Sequence, residues 1–153
     1  MDGSGREVLV ELDNRDLTTV RSDPAYERLI EQLPTHHICQ QLIRNYFDEA
    51  NWKFYALEQY YFEKLYSLWL HATVAPAYTK SSQRVPIDLI YFPALFFQVL
   101  AVSLQFLPPT AKVRGGLNIC EQSDCDKLSL SFSNIGKEIV ALLPLISLAT
   151  AFC

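Results

Sequence analysis

Histidine and cysteine are few in this chain, and His36, His37 and Cys39 form their tightest group. Imidazole nitrogen and thiolate sulfur suit zinc, but a tetrahedral site takes about four donors, usually with a C-x2-C or i, i+4 histidine spacing. These three have neither spacing, and His71 stands far along the chain, so they read as polar residues of a first helical turn. Cys120 and Cys125 enclose four residues, which suits neither a redox C-x-x-C pair nor a zinc knuckle. Cys125 falls on an apolar stripe, where a free thiol packs as a small hydrophobe.

The neighbouring carboxylates Asp48 and Glu49, Glu58 and Glu63, and Asp124 and Asp126 become an acid–base pair only where a cleft separates their pKa values. All six are expected on solvated faces. No G-x-S-x-G elbow, Walker loop, dinucleotide fingerprint or H-E-x-x-H motif occurs. The expectation is therefore a chain that is not an enzyme, with no catalytic, cofactor-binding, metal-ligating or DNA-contacting residue of its own.

Aromatic residues are dense from Tyr46 to Trp69. Base-stacking platforms interleave such rings with Lys and Arg, but acidic residues match or outnumber the cations here. An aromatic core with some exposed rings facing a protein partner fits better. The charge of the whole chain agrees: 17 acidic against 13 basic residues give −4, a poor balance for holding phosphates. With 153 residues and half of them apolar, one domain can bury its core without a disulfide or metal staple. Four scattered cysteines point to a reducing compartment, and Met1 to Arg21 lacks the order of a signal or transit peptide.

The elements that position these residues are all expected to be helical. A short helix begins at Pro24 under an Asp23 cap, turns Tyr26, Leu29, Ile30 and Leu33 inward, and stops at Pro34. Thr35 caps a second helix running to Ala50, with Ile38, Leu42, Ile43, Tyr46 and Phe47 inside and Asn45 among the solvated residues. A third covers Leu57 to Ala72, its stripe built on Leu57, Tyr61, Leu65, Leu68 and Trp69 and widened by Tyr60 and Phe62. Pro76 to Pro86 has loop composition.

Ile87 to Leu107 is mostly apolar, and as one helix it would reach about 31 Å, close to a bilayer core. Asp88, Pro93, Gln98, Ser103 and Gln105 favour a helix buried in protein, so no membrane is expected as a partner; a small membrane protein spanning at 87–107 is the competing class. Pro93 either kinks this helix or sits in the first turn of one begun at Tyr91 or Phe92. In the last helix Ser123-x-x-Asp126 reads as a capping box. Cys125, Leu128, Phe132, Ile135, Ile139 and Leu142 line its inner face, Gly136 marks a close approach, and Pro144 ends it.

The succession of these segments resembles the fungal-specific transcription factor domain, the middle homology region of fungal zinc binuclear-cluster regulators. LPTHHICQQLIRNYFDEANWKFYALEQYYFEKLYSLW matches that family's start through Phe47, Asn51, Trp52, Phe62, Leu68 and Trp69. YFPALFFQVLAVSLQFLPP resembles its buried apolar helix. CDKLSLSFSNIGKEIVALL resembles the following segment through Asp126, Leu128, Ser129, Gly136, Glu138 and Ile139. The three matches run in family order from Leu33 to Leu143.

The resemblance implies an all-α, irregular helical bundle that is an incomplete part of a larger regulatory domain. It divides the chain into a lead-in (1–32), the partial domain (33–143) and an apolar tail that departs from the family pattern (144–153). It also implies a nuclear setting and regulation of RNA polymerase II transcription through protein or effector contacts. Zinc and DNA are implied only for a separate cysteine-cluster module that this chain lacks. The departure at PLISLATAFC reads as truncation or read-through, which allows a gene product without activity of its own. On that reading the apolar faces of 87–107 and 128–142 lack partners and favour self-association.

Overall fold

The computed structural model describes residues 23–74 and 87–151, and among them every regular element is helical. Asp23 caps α1 (Pro24–Ile30) as expected: its Oδ1 accepts from the backbone N–H of Ala25 at 2.9 Å and of Tyr26 at 3.2 Å. The helix closes before Leu33, ahead of Pro34. Helix α2 (His36–Asn45) begins at Thr35 without a side-chain cap and widens into a π-helical turn, Tyr46–Ala50. After that turn come the short α3 (Asn51–Phe54) and then α4 (Gln59–Val74). The expected loop at 76–86 lies outside the described residues, as does the lead-in before Asp23.

Helix α5 (Ile87–Gln105) has apolar residues on every side, the mark of a helix largely enclosed by others. It packs most extensively on α7 (Gln122–Ala151), while α2, its π-helical turn and α4 cover the other side. The short α6 (Val113–Gly116) leans on α2, and α1 on α7. Phe92, Phe96, Phe97, Leu100 and Leu104 of α5 are fully buried. The faces of 87–107 and 128–142 thus cover one another instead of lacking partners: Phe97 meets Phe132 edge-on at 5.7 Å, and Ile139 is fully buried.

No helix among the described residues is long and apolar enough to cross a membrane. The polar groups of α5 serve its neighbours instead. Gln98 Nε2 donates to the Ser133 carbonyl at 3.0 Å and its Oε1 accepts from the Ser133 hydroxyl at 3.2 Å. The Ser129 hydroxyl donates to the Ala101 carbonyl at 2.7 Å.

Four local expectations change. Asn45 is half-buried, not solvated, because α2 turns it toward Ser103. In α4 Phe62, Leu65 and Trp69 are buried as expected, but Tyr66 joins them while Tyr60, Tyr61 and Leu68 face outward; with apolar residues nearly all round, the pattern placed the stripe only in part. Ser123 does not cap α7. Asp124, at the third helical position, accepts on Oδ2 from the N–H groups of Cys120 and Glu121, both at 3.0 Å, the reciprocal half of a capping box. Finally, α7 continues through Pro144 to Ala151, while α5 holds Pro93 in its interior, one of the two placements expected for it. Proline sets a helical φ and forfeits one backbone bond, so it disfavours a helix without forbidding it.

Candidate functional site

The residues of the three matched segments do not converge on one site. Phe47, Phe62 and Trp69 belong to an aromatic stack between α2, α4 and α5, in which Phe62 meets Phe47 at 5.7 Å and Phe92 at 5.4 Å, and Trp69 meets Phe92 at 5.9 Å. Leu128, Ser129, Gly136 and Ile139 form the α5–α7 seam, where Gly136 lies so close to α5 that a Cβ would stand 3.0 Å from the Ala94 carbonyl and 2.8 Å from Gln98 Nε2. Asp126 is exposed and accepts from Gln122 Nε2 at 3.4 Å; Glu138 and Leu68 are also exposed.

Nor do His36, His37, Cys39 and His71 assemble. His36 Nδ1 is 2.8 Å from the Tyr66 hydroxyl and its ring stacks on that of Tyr66, His37 pairs with Gln41, and His71 is exposed. Cys39 is buried, donates to the Pro34 carbonyl, and burial pushes its thiol up to about 12. Tyr66 is likewise pushed up to about 12, first by burial and then by Cys39, so neither serves as a base near neutrality. Among the described residues no group of three or more His, Cys, Asp or Glu is placed to hold a metal ion. An open groove of ~460 Å³ between α2 and α4 is lined by His37, Gln41, Arg44 and Glu63 together with Ile43 and Tyr66.

The feature that stands apart is the surface between residues 52 and 61. Trp52 is 56% exposed, Phe54 59%, Tyr55 85% and Tyr60 74%. Local chemistry fixes this segment firmly. Asn51 clamps the turn with both ends of its amide, donating to the Leu57 carbonyl at 3.0 Å and accepting from the Leu57 N–H at 3.2 Å. Glu58 caps α4 by accepting from the N–H groups of Tyr60 and Tyr61 at 3.1 and 2.8 Å. Tyr55 ends α3 in the left-handed region at φ 46°, where glycine is usual and a bulky side chain costs roughly 1–2 kcal/mol.

From across the fold, Phe106 joins the surface. It meets Phe54 edge-on at 6.1 Å, and Lys53 Nζ lies 4.8 Å from the Phe106 ring centre and 5.3 Å from that of Trp52. The run of rings announced an aromatic surface in the sequence. Its link to Phe106 left no signal there, because it depends on how the chain folds back; Asn51 stood out only through the family resemblance, which says nothing of its clamp on Leu57.

No family model, curated protein or solved structure matches the chain.

Proposed function

We propose that this chain is a regulatory, non-DNA-contacting region of a fungal zinc-cluster transcription regulator, acting in the nucleus through protein contacts. The observation that carries the reading is the clamped, exposed aromatic surface of Trp52, Phe54, Tyr55 and Tyr60. Exposed aromatic area concentrated in one short, firmly held segment suits an interaction site, and Trp and Tyr are among the residues most enriched at the centres of interfaces. The ordered likeness of three segments to the fungal regulatory domain supports the transcriptional setting. The net charge of −4 supports a role in which phosphates are contacted by a separate, zinc-bearing module.

A reporter assay in a fungal cell tests this. The chain is fused to an unrelated DNA-binding module upstream of a reporter gene, beside a triple variant Trp52→Ser, Phe54→Ser, Tyr60→Ser. The wild-type fusion is expected to shift reporter output from that of the bare module, and the variant to return it there while keeping its helical circular dichroism. A wild-type fusion without effect, or a variant as effective as wild type, sinks the reading.

A further inference from the structure

The rings of Trp52 and Phe106 already solvate a cation, since the Lys53 ammonium lies within 5.3 Å of both ring centres. Lys53 and Trp52 are nonetheless exposed, so the faces they share open to solvent. An ammonium is compact and strongly hydrated, whereas a guanidinium is planar, more weakly hydrated and stacks flat on aromatic faces. An incoming arginine therefore competes well for these rings. The charge of this stretch of chain favours one: from residue 48 to 64 stand Asp48, Glu49, Glu58 and Glu63 against Lys53 and Lys64. Tyr55 and Tyr60, both largely exposed, add apolar area on the same segment of chain.

We propose that Trp52 and Phe106 form a recognition box for an arginine side chain of a basic protein segment, which displaces Lys53 on binding. This rests on the reading of the aromatic surface as a protein-contact site and adds the chemistry of the partner.

Fluorescence anisotropy of the full chain with a short labelled peptide of alternating arginine and leucine tests the proposal, beside analogues carrying lysine or glutamine in place of arginine. The arginine peptide is expected to bind and to weaken severalfold as salt rises to physiological strength. The lysine analogue binds about threefold or more weakly, and the glutamine analogue does not bind. Trp52→Ala weakens the arginine peptide about tenfold. Lys53→Gln tightens it severalfold, because the resident cation and its repulsion are gone; a merely structural role for Lys53 predicts no gain. Equal binding of the arginine and glutamine peptides, or an unchanged or weaker Lys53→Gln variant, overturns the proposal. Glutamine-peptide binding that still depends on Trp52 leaves the surface a docking site for another chemistry, whereas loss of every peptide together with a silent reporter removes both readings. Matching melting curves for the two variants, both at exposed positions, separate these outcomes from misfolding.

Discussion

Asn45 Nδ2 lies 3.0 Å from both the carbonyl and the hydroxyl oxygen of Ser103, and that hydroxyl donates onward to the Leu42 carbonyl at 2.6 Å. Ser103 is fully buried, so this clasp ties α2 to α5 inside an otherwise apolar contact. It sits where α2 widens into its π-helical turn. Such turns survive where specific contacts hold them.

Removing either side of the clasp strands a polar group in the interior. Ser103→Ala and Asn45→Ala are each expected to cost about 1–2 kcal/mol, read by urea unfolding. The double variant should cost less than the sum by roughly 0.5 kcal/mol or more, the signature of a shared interaction. Strict additivity would mean that the two residues do not act together.

Gly136 and Gly115 make opposite predictions for the same change. A Cβ at Gly136 meets the Ala94 carbonyl at 3.0 Å, and backbone cannot step aside cheaply. Gly136→Ala should therefore destabilise by about 1–3 kcal/mol despite its better helix propensity. At Gly115 a Cβ meets nothing within 4 Å, so Gly115→Ala should be neutral or stabilise by up to about 1 kcal/mol. Paired thermal melts decide; a harmless Gly136→Ala would mean the α5–α7 seam is looser than described.

The start of α7 carries an acid-sensitive contribution. The backbone N–H groups of Glu121 and Cys120, in that order, hold the Asp124 carboxyl below its ordinary value. A depressed carboxyl pKa adds stability above its unfolded value, and that stability is lost as pH falls through the folded one. Asp124→Asn should thus lower stability at neutral pH, with the gap to wild type closing on acidification below the usual carboxylate range. Urea midpoints measured for both proteins across that range check it; a gap constant with pH would show that the charge is not what matters.

The described cysteines should differ sharply in reactivity. Cys120 is exposed, whereas Cys39 and Cys125 are buried and burial raises both thiols, Cys39 to about 12. Thiolate is the reactive form, so iodoacetamide at mildly alkaline pH should label Cys120 first. Cys39 and Cys125 should react only after denaturant is added, as followed by peptide mass mapping. Early labelling of Cys125 would place the α5–α7 seam open to solvent.

The sequence determined by itself what depends on near neighbours. The stripe Cys125, Leu128, Phe132, Ile135, Ile139 is the inner face of α7, because an amphipathic helix has one apolar side and 3.6 residues per turn fix which residues share it. Asp23 caps α1 as read, since a cap reaches only two or three residues. The Gly136 approach was legible too, for a glycine in such a stripe is tolerated when something lies against it.

Only the tertiary structure decided the rest. In α4 the rings go nearly all round, so periodicity, which turned Phe62 and Trp69 inward, could not say that Tyr66 joins them while Tyr60, Tyr61 and Leu68 stay out; the position of α5 chose. Asn45 looked solvated until α5 brought Ser103 within reach, and Lys53 looked like an isolated cation until the chain returned Phe106 to its side. These choices rest on contacts between residues more than twenty positions apart. Their energy depends on distance in space, and a local pattern of residue types carries no record of that.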